Sequence, residues 1–193
     1  MIAGHFGFAA IVKSRERAAP LWALMLATQW LDVLFVPLLV MGVERLEPVA
    51  GTRGGYGDVI IYADYTHSLL GAVIIASLSA LLAASVWTRR TAFVIGAVVF
   101  SHWLLDLIMH RGDMPLLPGN LGGFPRLGFG LWKAPVVSAC VELGLVLAGA
   151  FVYSVAAVRA ESAAGQRSRI AYVATGLILV AGIITLTLNV IGY

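Results

Sequence analysis

Apolar residues in this chain run in long unbroken blocks and do not alternate with polar ones. Five blocks, roughly Pro20–Val43, His67–Trp87, Thr91–His110, Ala134–Val158 and Ile170–Ile191, reach the about 20 residues that a helix needs to cross a hydrocarbon core. The polar–apolar alternation of a transmembrane barrel strand is missing, and runs of Leu, Ala, Val and Ile at this length read as helices. The first dozen residues, Met1–Val12, are also apolar, but their charges follow the run, so it is not a secretory signal. At ~1.5 Å per residue it covers about 18 Å, which suits a half-spanning or interfacial helix. The pattern predicts an all-α integral membrane protein. It has about five transmembrane helices plus a short N-terminal half-spanning or interfacial helix, in a single transmembrane helical domain over 1–193.

Two segments break the pattern. Glu44–Thr66 carries Gly51, Gly54, Gly55 and Gly57, and Arg111–Lys133 carries Pro115, Pro118 and Pro125 with several glycines. Such densities mark turns, and loops this long are more often functional than idle. Pro37 is expected to kink the first span. Lys and Arg set the orientation. Lys13, Arg15, Arg17, Arg89, Arg90, Arg159, Arg167 and Arg169 fall on one side, while Arg45, Arg53, Arg111, Arg126 and Lys133 fall on the other among acidic residues. That bias places the N-terminal side in the cytoplasm and the C-terminus outside.

Composition agrees with the pattern. Hydrophobic residues make up 60% and charged residues 12% of the chain, too few charges to cover a soluble domain of this length. A cytosolic enzyme, a nucleic-acid binder and a disordered chain are thereby excluded, and a net charge of +3 is too weak and scattered for a polyanion partner. The single cysteine, Cys140, excludes a disulfide framework and a cysteine-based zinc site within one chain; it reads as a small buried apolar residue. Trp22, Trp87 and Trp132 read as interfacial belt residues.

Ionisable groups inside spans are costly and mark function by default. Here they are Asp32, His67, His102, Asp106, His110 and Glu142, with His5 in the short N-terminal run. All four histidines of the chain fall in this set. His102, Asp106 and His110 stand four residues apart, which puts them on one helix face, a spacing used by helical metal ligands. A polar stripe satisfied by interhelical hydrogen bonds is the alternative. Counting ~1.5 Å per residue from the basic ends places His102 about 16 Å deep, Asp32 about 18 Å and His5 about 12 Å. His67 and His110 fall nearer the outer face. A His and carboxylate set without cysteine suits zinc, manganese or iron, with zinc foremost. Glu142 and His110 are candidate proton carriers beside the metal. Thr66 reads as the N-cap of the helix that follows His67.

Gly4-His5-Phe6, Asp32, Thr66-His67-Ser68-Leu69 and Ser101-His102-Trp103-Leu104-Leu105-Asp106 follow one another in a recognisable order. Over about residues 1–110 the chain resembles the YdjM-like group of LexA-binding, inner membrane-associated hydrolases, also described as membrane-bound metal-dependent hydrolases. The resemblance implies that His5, Asp32, His67, His102 and Asp106 form the metal site. The chain departs from the group in two places. Trp30-Leu31-Asp32-Val33-Leu34 replaces a Pro-Asp-x-Asp pattern, and Tyr62-Ala63 stands where the group often has His-Arg. Both departures weigh against a second metal and against phosphate recognition.

Two functions follow from these residues. One is a metal-dependent membrane hydrolase acting on an ester or phosphoester of a membrane lipid or other amphipathic substrate. The other is a transporter or permease that uses the buried His and Asp groups as an ion or proton relay, which requires polar residues reaching both membrane faces. A metal-stabilised scaffold without turnover is a third.

Overall fold

The structure is a computed structural model that describes residues 1–52 and 56–191. Arg53, Gly54 and Gly55, counted above as an outer charge and as turn residues, lie outside the described residues. Among the described residues, seven α-helices make up the bundle: α1 (Ile2–Arg15), α2 (Leu21–Thr28), α3 (Trp30–Val40), α4 (Leu69–Ala84), α5 (Arg89–Met109), α6 (Pro135–Ala163) and α7 (Arg169–Ile191). By length and composition α5, α6 and α7 can each cross a membrane, and the bent pair α2–α3 adds a fourth crossing if taken as one span. α4 is apolar but has only 16 residues. Large apolar side chains face outward along these helices, among them Leu82, Phe93, Phe151 and Ile170. An outer surface this apolar fits lipid and not water.

α1 is no surface feature. It packs against α6, α2 and α7 and buries a face made mostly of small residues, Ala3, Gly4, Gly7, Ala9 and Ala10, with His5 among them. Small residues let helix backbones approach closely inside a bilayer. The approach is tight: a Cβ added at Gly149 would lie 2.1 Å from the Gly7 carbonyl oxygen, and one at Gly7 would lie 2.3 Å from that of Leu145. Gly149→Leu is therefore expected to cost about 3 kcal/mol or more through forced helix separation, read as a lower thermal midpoint in detergent. An unchanged midpoint would mean that this helix contact does not form.

The first span breaks at Gln29 by 46°, whereas Pro37 sits inside α3 without ending it. The main bend of this span thus lies at Gln29, eight residues before the proline. The break has local causes: Gln29 Nε2 donates to the Ile2 carbonyl at 2.9 Å, and Thr28 Oγ1 donates to the His5 carbonyl at 3.3 Å. Both bonds tie the break to α1. The N-cap of α4 is Ser68, whose Oγ accepts from Gly71 N, so Thr66 is free for another role.

The two loops are more ordered than turn chemistry alone implies. In the first, β1 (Arg45–Pro48) pairs antiparallel with β2 (Val59–Tyr62), Arg45 opposite Tyr62 and Pro48 opposite Val59. In the second, Met114 and Leu127 bridge. Arg126 joins the loops through Asp64, at 2.6 and 3.0 Å. That bidentate bond raises the Arg126 pKa above its ordinary value. Together the loops form a roof over one end of the bundle. The opposite end is basic, with Arg90 of α5 paired to Glu16 just beyond α1 at 3.0 Å.

Candidate metal centre

α5 supplies the axis of the site. His102 and Asp106 lie one turn apart on its buried face, and His110 forms its C-cap. The i, i+4 spacing brings both imidazoles to one carboxylate oxygen: Asp106 Oδ2 is 3.1 Å from His102 Nε2 and 3.6 Å from His110 Nε2. His67, just ahead of α4, adds Nε2 at 3.7 Å from the same oxygen and 3.2 Å from His102 Nε2. Asp32, from the first turn of α3, places Oδ1 3.4 Å from His67 Nε2 and 3.5 Å from His102 Nε2. α1 brings His5, with Nε2 3.2 Å from Asp106 Oδ1 and its ring stacked on His102 at 3.9 Å. The main-chain nitrogen of Met1 lies 3.3 Å from Asp106 Oδ1. The histidines and Asp106 are buried, whereas the Asp32 side chain is 33% exposed. Asp32 marks the open side of the cluster.

His67 and His110, placed near the outer face by residue counting, join the same cluster as His102. Counting along straight helices misplaces them because both sit at helix ends. There the extended backbone, ψ 147° at His110, lets the side chain turn back into the bundle.

The hydrogen bonds fix which ring nitrogens are free. His102 Nδ1 faces the Thr28 carbonyl at 2.7 Å, and a carbonyl only accepts, so Nδ1 carries the proton. His110 Nδ1 faces a carboxylate oxygen of Asp113 at 2.7 Å, which again only accepts. His67 Nδ1 lies 2.9 Å from Thr66 Oγ1. That hydroxyl donates its own proton to Glu44 at 3.0 Å, so it must accept from His67. When these three rings are neutral, they therefore turn Nε2 lone pairs inward, among two carboxylates. Two acceptors 3.2 Å apart repel unless a cation or a proton lies between them. Ligating histidines commonly show this arrangement, with the outer N–H held by a carbonyl, hydroxyl or carboxylate.

Two overlapping groups could hold a metal ion, Asp32 with His67 and His102, and His5 with His102 and Asp106. They share His102, whose one free lone pair serves one ion at a time. His5 differs from the other three histidines. Its Nε2 meets Asp106, while its Nδ1 is buried without a partner.

Several supporting residues lay beyond the sequence reading. Glu44 is buried, accepting from Tyr65 N, Thr66 N and Thr66 Oγ1. Asp113 is buried too, accepting from Ile61 N at 2.8 Å as well as from His110. Burial disfavours its ionised form, but these hydrogen bonds outweigh that and hold its carboxyl below the usual range. Trp103 Nε1 donates to the His67 carbonyl at 2.8 Å and anchors that segment. Trp132, expected in an interfacial belt, is buried with its ring 4.7 Å from that of His110, because the second loop folds back over the site. Glu142 is also buried, but it accepts from Gly4 N at 3.1 Å and from the Tyr56 hydroxyl. It holds the first turn of α1. Cys140, expected to be buried, is exposed on α6.

Thr66→Val removes the acceptor for His67 Nδ1 while Glu44 keeps its two backbone donors. Cation affinity should fall about 10–100-fold with thermal stability little changed, as read by competition with a chelator. Equal affinity would remove Thr66 from the site. No family model, no curated protein and no solved structure matches this chain.

Proposed function

We propose that this protein is a membrane-embedded, metal-dependent hydrolase with one zinc-type cation, in keeping with its resemblance to the YdjM-like group. The observation that carries the reading is a set of lengths. Nε2 of His67, Nε2 of His102 and Oδ1 of Asp32 stand 3.2, 3.4 and 3.5 Å from one another, and Oδ2 of Asp106 lies 3.1 and 3.7 Å from the two nitrogens. A tetrahedral ion with bonds of about 2.0–2.1 Å separates its ligands by about 3.3–3.4 Å. The atoms of Asp32, His67 and His102 already stand where three ligands of such an ion need to be, with Asp106 Oδ2 beside both nitrogens, and nitrogen with oxygen donors suits zinc.

Bound there, the cation would polarise a scissile carbonyl or phosphoryl oxygen and acidify a water to near-neutral pKa. The chain's own residues supply the rest. His110 presents its Nε2 beside Asp106 and is placed to take a proton, while Asp113 holds its Nδ1–H. His5 orients Asp106. Glu142 acts through the α1 backbone as a positioning residue. Asp32, on the exposed side, marks where substrate arrives.

In this reading the chain crosses the cell inner membrane five times, through α2–α3 and α4 to α7, with α1 reaching only part-way. The basic end is cytoplasmic and the roofed metal centre lies toward the outer leaflet, which favours an ester or phosphoester of a membrane lipid. The transporter alternative needs polar groups at both faces. Toward the basic end, a cavity of about 230 Å³ is instead lined by Trp22, Leu26, Trp87, Ile95 and Val99, which supports the hydrolase over a through-path. The test is elemental analysis of purified protein together with a panel of lipid esters and phosphoesters. Near-stoichiometric zinc with turnover is expected. Protein purified without chelator that carries no metal would sink the reading, and ion flux in proteoliposomes requiring Asp32 would favour the relay.

A further inference from the structure

The outer ends of α6 and α7 enclose a groove of about 590 Å³ that the metal centre does not use. Its walls are mostly apolar, formed by Ala139, Cys140 and Leu143 of α6 with Leu186 and Val190 of α7, and Thr187 is the polar exception on α7. They run without interruption into the exposed apolar surface of the same helices, at Val136, Leu147 and Ile183. At one end the polarity changes, where Tyr56 and Asp58 of the first loop line the groove. Asp58 faces Arg111 at 3.4 Å, and that guanidinium also donates to the Gly57 and Trp132 carbonyls. The polar end is therefore neutral overall and rich in hydrogen-bonding groups.

This end abuts the metal centre. The Tyr56 hydroxyl donates to Glu142, which also holds Gly4 N beside His5. The Tyr56 ring packs in the cluster of Met1, Met109 and Trp132, and the Trp132 ring lies 4.7 Å from that of His110. Tyr56 is a wall shared by groove and site. A trough that opens on the lipid-facing surface and ends in neutral polar groups matches one ligand chemistry, an acyl chain ending in an ester. We propose that the α6–α7 groove binds one acyl chain of the membrane lipid on which the metal centre acts. The inference rests on the hydrolase reading for the word substrate, but occupancy of the groove can be tested without it.

The experiment uses the full chain in vesicles of phosphatidylethanolamine and phosphatidylglycerol that contain a phospholipid with a diazirine on its acyl chain. After photolysis, adducts are mapped by mass spectrometry, with and without prior metal chelation. Adducts concentrated on Cys140, Leu143 and Leu186, several-fold above those on the outward-facing Phe151 and Val173, are expected in both conditions. Ala139→Trp should fill the groove and return those adducts to the level of Phe151. It should also raise KM for a long-chain lipid ester while sparing kcat on a short-chain ester and the metal content. Adducts spread evenly over the exposed apolar surface would overturn the proposal, as would groove adducts that survive Ala139→Trp. Crosslinks between two copies of the chain at these residues would assign the groove to self-association and overturn it too. Groove labelling in a wild-type protein that carries no metal would retain the chain site and remove only the hydrolase.

Discussion

Replacing His102 with alanine is expected to empty the proposed metal centre. His102 contributes the one Nε2 that both metal-capable groups share, lies 3.2 Å from His67 Nε2 and 3.1 Å from Asp106 Oδ2, and has its outer nitrogen fixed by the Thr28 carbonyl. Loss of an outer-shell partner typically weakens a site about 10–100-fold, so loss of this inner ligand should exceed about 100-fold. Bound metal should fall from about one per chain to a small fraction, and lipid-ester turnover with it. His102→Ala also leaves a cavity in the bundle and a Thr28 carbonyl without its donor. For that reason the matching control is His102→Gln, which fills most of the space and keeps a donor. The centre should be lost in both variants while thermal unfolding in detergent separates them. Full metal occupancy in either one would show that the groups sharing His102 are not the binding site.

Sequence periodicity revealed the parts of this protein that repeat. Long apolar blocks located α4 to α7 to within a few residues at most ends, and the i, i+4 spacing of His102, Asp106 and His110 located the axis of the site. What stayed hidden was carried by backbone and by loops. The Thr28 carbonyl leaves no mark in the sequence, because any residue supplies a carbonyl and only the break at Gln29 frees this one. Glu44 and Asp113 looked like charges diluting outer loops, yet both are buried beneath the hairpin and the Met114–Leu127 bridge. A weak signal existed for Asp113, three residues after a histidine that ends a helix. Cys140 and Trp132 were misjudged for a related reason. A bundle offers outward grooves and inward-folded loops that hydropathy alone does not distinguish.

Asp106→Asn separates a cation site from a polar network held by hydrogen bonds alone. Asp106 meets four imidazoles: His5 through Oδ1, and His67, His102 and His110 through Oδ2, at 3.2, 3.7, 3.1 and 3.6 Å. In a network without metal, at least one of these rings would carry a proton, and the carboxylate would serve as its counter-charge. Asparagine is nearly isosteric and could still accept from His5, so the uncharged variant should then relax to neutral rings at modest cost. In a metal centre the outcome differs. A neutral amide oxygen is a far weaker ligand than a carboxylate, and its NH₂ group would point at Nε2 lone pairs that have been reserved for the ion. Metal affinity should fall by more than about 100-fold, beyond the range seen for outer-shell changes, while the helical content and the α1–α6 contact persist. Added zinc should raise the thermal midpoint of the wild type and leave that of Asp106→Asn unmoved, because only a ligand bound by the folded state shifts the unfolding equilibrium. Equal zinc-induced shifts in the two proteins would place the ion elsewhere and reduce the cluster to a hydrogen-bonded core.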